Sequence, residues 1–129
     1  MKRLILLLVI LCIPLLPIQA MCATKTATFT WTQDSASLPV LAGWRVYQAS
    51  AAGGPYTLLS SMTYDGTPKP SYTGTGTINQ ADGTSKTYYF VCRALGKSGL
   101  ESGNSNEVSA VVDLTVPGVP VTFTVTITN

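Results

Sequence analysis

Short runs of alternating apolar and polar residues, cut apart by glycine, proline and asparagine, constrain this chain more than any other feature. In an extended strand successive side chains point to opposite faces, so a period of two marks a strand with one face buried. The clearest run is 87–95, with Tyr88, Phe90, Cys92 and Ala94 on one face and Tyr89, Val91 and Arg93 on the other. Residues 23–32 set Ala27, Phe29 and Trp31 against Thr26, Thr28, Thr30 and Thr32. In 43–48, Trp44 and Val46 share a face. Runs at 56–61, 71–78 and 106–114 complete the series, the middle one weakened by Gly74 and Gly76. Loops are expected at 33–42, around Pro39, and at 51–55, 64–70 and 96–104. Many short strands with regular turn signals predict an all-β sandwich or barrel.

The first twenty residues follow a different logic. Lys2 and Arg3 precede an apolar run over 4–16, which Pro14 and Pro17 break before the small-residue stretch 18–23. A membrane-spanning helix needs about 20 apolar residues, so this run is too short for an anchor and has the layout of a secretory signal peptide. Cleavage after Ala20 is favoured over cleavage after Ala23, and Gln19-Ala20-Met21 ahead of Cys22 departs from a small-residue lipidation motif. The expected division is 1–20 signal peptide, 21–115 sandwich domain, and 116–129 linker and final strand. The mature protein is expected outside the cell or on its surface, after any periplasmic transit, with no membrane segment.

Eight basic and six acidic residues become six of each once Lys2 and Arg3 are removed with the signal. A near-neutral chain offers no basic surface to follow a phosphate backbone, so nucleic acid is not an expected partner. Cys12 also leaves with the signal. Alternation points Cys92 into the core as a small hydrophobe, and a bridge to Cys22 is the alternative that the oxidising exterior allows.

Catalytic chemistry finds little support. There is no histidine, the commonest general base and metal ligand. Asp34, Asp65, Asp82, Glu101, Glu107 and Asp113 are scattered over loops and strand ends. Asp65-Gly66, Asp82-Gly83 and Asn104-Ser105-Asn106 lack the dense oxygen ligands of a calcium loop and are read as turns. No catalytic, cofactor or metal-binding residue is expected.

Several elements, in order, resemble a bacterial fibronectin type III domain. They are Trp31, Gly43-Trp44-Arg45-Val46-Tyr47, Gly53-Gly54-Pro55-Tyr56, Gly83-Thr84 ahead of residues 88–94, and Ser105-Asn106-Glu107-Val108-Ser109. The resemblance covers about residues 23–113. It implies a seven-stranded, two-sheet sandwich, with Trp31 as the core tryptophan of the second strand and Tyr88 as the tyrosine corner of the sixth. The structural core is then Trp44, Val46, Tyr88, Phe90, Cys92 and Ala94.

One departure from the family carries the functional expectation. The signal peptide ends just before the tryptophan strand, so the family's proline-bearing linker and first strand have no place there. A similar segment stands at the other end. Pro117-Gly118-Val119-Pro120 precedes residues 121–128, in which Val121, Phe123, Val125 and Ile127 alternate with threonine. A sandwich without its first strand exposes an edge and a strip of core beside Ala27, Phe29 and Trp31. The expected function is a structural protein that forms a homo-oligomer or polymer head to tail, each copy donating Val121, Phe123, Val125 and Ile127 to the groove of the next. Pairing of the tail within its own chain, and an undocked tail, remain alternatives. A second class is a monomeric adhesin or carbohydrate-binding accessory whose glycan or protein ligand meets loops 33–42 and 96–104 at one pole. Tyr47, Tyr56, Tyr64 and Tyr89 are surface aromatics that such a module would use.

Overall fold

Every alternating run of the body pairs into a sheet in the computed structural model, which describes residues 22–118, 121, 122 and 124–126. The strands are β1 (Cys22–Trp31), β2 (Leu41–Ala49), β3 (Thr57–Thr63), β4 (Tyr72–Ala81), β5 (Ser85–Gly96) and β6 (Val108–Asp113). One sheet has the order β1-β4 and the other β3-β2-β5-β6. All pairings are antiparallel. The segment read as a signal peptide lies outside the described residues, as do Phe123 and Ile127.

Loop 33–42 contains a short 3-10 helix, Ser35–Val40. Asp34 caps it by accepting the Ala36 N–H at 3.1 Å, as short polar side chains do at helix starts. Gln33 then joins this turn to the core, accepting the Trp44 indole N–H at 2.9 Å and donating to the Ser37 hydroxyl at 2.7 Å.

Glycine makes β4 the least obvious strand in the sequence and also explains its packing. A Cβ on Gly76 would stand 2.8 Å from Leu59 and 3.2 Å from Phe29, and one on Gly74 would stand 2.8 Å from Met62. Bare backbone at these positions lets side chains from β1 and β3 fill the space between the sheets.

The core has two neighbouring centres. Val46, Ile78, Tyr88 and Phe90 form one, and Leu41, Trp44 and Tyr72 the other, with half-buried Met62 and Cys92 touching both. Trp44, not Trp31, is the core tryptophan: Trp44 is 3 % exposed, while Trp31 is half-buried and packs edge-on to it with ring centroids 5.3 Å apart. β2 is flanked on both sides by strands, whereas one edge of β1 is unpaired among the described residues. Tyr64, expected at the surface, turns inward to lie 5.6 Å from the Trp44 ring. The corner role expected of Tyr88 is not seen among the described residues: the Tyr72 hydroxyl is the one that accepts a backbone N–H just upstream, from Lys69 at 3.2 Å.

Both thiols are free, with Cys22 exposed and Cys92 half-buried. Cys22 pairs with Ala81 at one end of β1, while Cys92 lines a groove beside Trp31 at the other. Nine residues of strand separate those ends by about 30 Å, far beyond the reach of a disulfide. At the C-terminus, the residues described from Val121 to Thr126 lie outside both sheets and are exposed. A strand exists by its ladder of hydrogen bonds, and the described residues of this segment pair with no strand.

Candidate assembly groove

Directly paired residues of neighbouring strands share a face, so their burial should match unless something is missing above one of them. Along β5 and β6 the pairs are Tyr88 with Ala110 and Phe90 with Val108. Tyr88 and Phe90 are buried, yet Ala110 is exposed and Val108 is 50 % exposed. The other sheet has the same asymmetry. Tyr72, Ile78 and Gln80 of β4 are buried, while their β1 partners Trp31 and Ala23 are half-buried and Lys25 is exposed. The inner faces of β1 and β6 therefore form an open seam between the sheets.

The seam is deepest toward the Trp31 end of β1. There a groove of about 520 Å³ is lined by Phe29, Trp31, Val46, Phe90, Cys92 and Val108. The Phe29 and Phe90 rings meet 5.1 Å apart. Burial pushes the Cys92 thiol up from its ordinary value, so it remains protonated and acts as an apolar lining group. The sequence put Ala27, Phe29 and Trp31 on one face of β1; Phe29 and Trp31 line the groove, and Ala27 packs against the core. Sequence alone missed Val108 and Ala110, because their alternation describes a strand face and leaves open whether anything covers it.

The chain leaves the sandwich at the opposite end of the seam. Leu114 is pinned to the β4–β5 turn, donating its N–H to the Thr84 carbonyl at 2.8 Å and accepting the Gly83 N–H at 2.9 Å. Ala81, which precedes this turn, pairs with Cys22 at the start of β1. Seven residues from Leu114 to Val121 span at most about 23 to 25 Å. A segment starting at that pole runs alongside β1 in the parallel sense if it turns straight back, and antiparallel addition would require it first to reach the Trp31 pole. In the tail, Val121 is fully exposed and Val125 is 78 % exposed.

Charged residues gather on the outer face of the larger sheet. Arg45 and Arg93 are directly paired across β2 and β5, and both reach Glu101, at 2.5 and 3.2 Å. Tyr47 donates its hydroxyl to the same carboxylate at 2.8 Å, and its ring carries the Arg93 guanidinium 4.4 Å from the centroid. The Tyr47 hydroxyl and then the two guanidinium groups hold the Glu101 carboxyl below the usual range. A carboxylate kept ionised by three donors is a poor proton acceptor. Nearby, Glu107 accepts the Gly53 N–H at 2.9 Å and the Tyr56 hydroxyl. Tyr47 and Tyr56 thus serve structural acids. The six acids are not all isolated: two arginines directly opposite each other were the signal that one must sit between them. Among the described residues no group of three or more His, Cys, Asp or Glu side chains is placed to hold a metal ion.

The two loops expected at one pole do meet there. Lys97 donates its backbone N–H to the Val40 carbonyl at 2.8 Å and its ammonium to the Pro39 carbonyl at 2.7 Å. A shallow cavity of about 530 Å³ lies alongside, lined by Ser35, Leu38, Tyr64, Pro68 and Lys97 among others.

Among the described residues no helix is long and apolar enough to cross a membrane. No protein-family model matches the sequence, and no curated protein sequence matches it. Among solved structures, an Fn3-like protein from Clostridium thermocellum is 31 % identical, over 65 % of this chain and 73 % of that one, with a TM-score of 0.42. The strand order and the wholly antiparallel pairing are those of a fibronectin type III-like β-sandwich.

Proposed function

We propose that this is a secreted, non-catalytic structural protein that assembles head to tail by strand donation. The tail of one copy takes the place of the family's first strand in the seam of the next. The observation that carries the reading is the pairing of buried Phe90 with half-exposed Val108 beside an unpaired edge of β1. An edge with unused N–H and C=O groups, next to uncovered apolar side chains, is a template for another strand. The complementary segment is present in every copy, and its described valines are themselves exposed. Because the tail leaves at the Cys22 pole, antiparallel entry at the Trp31 pole is easier for a neighbour stacked end on than for the chain itself. Such a contact is heterologous and does not close, so it extends as a filament. Sedimentation velocity of the chain lacking residues 1–20 tests the reading. A concentration-dependent ladder of multiples is expected, and a single monomer peak at high concentration contradicts it.

A second reading, a monomeric adhesin or carbohydrate-binding module, draws on the pole where Lys97 joins the two loops beside a shallow cavity. The tyrosines give it less than the sequence promised, since Tyr47 and Tyr56 are tied to carboxylates and Tyr64, which lines the cavity, is half-buried against the core.

A further inference from the structure

The groove does not stop where β1 ends. Past Trp31 it continues as a cleft of about 280 Å³, lined by Trp31, Gln33, Trp44, Ser102, Gly103 and Ser105 among others. Trp31, Cys92 and Ser105 belong to both spaces. No strand can add to β5 along this cleft. The Cys92 and Ala94 N–H groups donate to the Ser105 and Ser102 hydroxyls, each at 2.9 Å, and the Cys92 and Ala94 carbonyls accept the Ser105 and Ser102 N–H groups, also at 2.9 Å. With its edge groups already paired, the cleft offers packing surface and no ladder. Its lining carries no charged side chain. Two residues before Ser102 stands Leu100, 75 % exposed, and Val40 beside it is 64 % exposed. One backbone corner holds both: Gly96 donates its N–H to the Leu100 carbonyl and Lys97 its N–H to the Val40 carbonyl, each at 2.8 Å. Leu100 and Val40 thus form an apolar rim on the Trp31 pole.

Resting on the strand-donation reading, we infer that this cleft and rim receive the linker Val116-Pro117-Gly118 of the donor copy, with its valine against Leu100 and Val40. A tail that pairs antiparallel with β1 enters at the Trp31 pole, so the linker ahead of it must cross that pole. Val116 precedes Val121 by five residues, at most about 18 Å of chain. That length carries it from Trp31 across the cleft to the rim. The linker suits a surface with no ladder to offer: proline has no N–H to pair, and residues 114–129 carry no charge. Val116 is itself 78 % exposed. Its own rim is out of reach. Leu114 is bonded to Thr84 at the start of β5, Gly96 lies at the other end of that strand, about 35 Å away, and the two residues from Leu114 to Val116 span about 7 Å. The occupant is therefore a second copy, and one contact covers three apolar side chains that a single chain leaves exposed.

Oxidative cross-linking and sedimentation of the chain lacking residues 1–20 test this. With Cys22→Ser and Cys92→Ala removing the native thiols, Val116→Cys with Leu100→Cys should give a ladder of disulfide-linked multimers. Val116→Cys with Leu58→Cys, an exposed position on β3 away from this pole, should give none. Leu100→Asp and Val116→Asp should each weaken association about ten-fold without moving the urea midpoint, and the double variant should lose little more than either alone. Equal yields from the two cysteine pairs, or aspartate variants that assemble like the parent or whose losses simply add, overturn the pole contact. Donation survives that result if Val108→Asp still breaks the ladder. A parent chain that sediments only as a monomer overturns donation and the pole contact together.

Discussion

Phe90 and Val108 sit directly opposite each other on β5 and β6, facing the same side, yet Phe90 is 3 % exposed and Val108 50 %. Nothing in the two side chains accounts for the difference. It comes from what stands over them: β1 and β4 cover Phe90, and the strip above Val108 is open. Substitutions at the two positions should therefore affect different properties. Phe90→Ala should lower unfolding stability by about 3 to 5 kcal/mol. Val108→Asp should leave the urea midpoint of the tail-deleted chain nearly unchanged while weakening assembly. Equilibrium denaturation and sedimentation of the two variants, run side by side, check this.

The two tryptophans should separate in the same way. Trp44 touches Trp31, Tyr64 and Tyr72 and is almost fully buried. Trp44→Ala should cost about 3 to 5 kcal/mol, and Trp31→Ala clearly less, in a chain lacking residues 121–129. Denaturant midpoints in the opposite order would mean that the β1 edge, and not β2, carries the core.

Period-two alternation made the body of this fold legible in the sequence. It placed Trp44, Val46, Tyr88 and Phe90 inside and put Ala27, Phe29 and Trp31 together on one face of β1. The same pattern could not tell Trp31 from Trp44, because alternation assigns a face and burial depends on how many strands flank it. Tyr64 was misread for a related reason: a residue just outside a strand has no period to betray its direction. Gln80 gave no signal either, since a glutamine at the end of a glycine-weakened run looks solvated until Val112 and Thr84 are seen to hold it. Glu101 appeared isolated because its partners Arg45 and Arg93 are joined only by the β2–β5 register.

Acid should weaken the fold partly through Glu101. Its folded-state carboxyl titrates below the ordinary unfolded value of about 4.3. Its contribution is therefore complete above that pH and is lost as the pH falls through the folded value. Glu101→Gln should lower the thermal midpoint at neutral pH. The gap from the parent protein should close as the pH drops from about 5 toward the folded value. A gap independent of pH would show that the Arg45–Glu101–Arg93 cluster contributes nothing electrostatic.

The thiols should behave independently. Cys22 is exposed and Cys92 lines the groove with a raised thiol. A maleimide should label Cys22 quickly and Cys92 slowly, and labelling of Cys92 should slow further in the assembled state, where the donated strand covers it. Cys92→Val should change stability by less than about 1.5 kcal/mol. Mass spectrometry after timed labelling gives both rates, and equal rates at the two sites would contradict the burial of Cys92.

Strand donation requires that the seam accept the tail. Calorimetric titration of a peptide spanning residues 121–129 into the chain truncated after Gly118 measures this directly. Saturable one-to-one binding is predicted. It should be abolished by Phe123→Asp with Val125→Asp, which a donated strand would turn into the groove, and only reduced by Thr122→Asp with Thr124→Asp, which it would turn outward. A truncated chain that is a stable, soluble monomer and takes up no heat from the peptide would contradict strand donation.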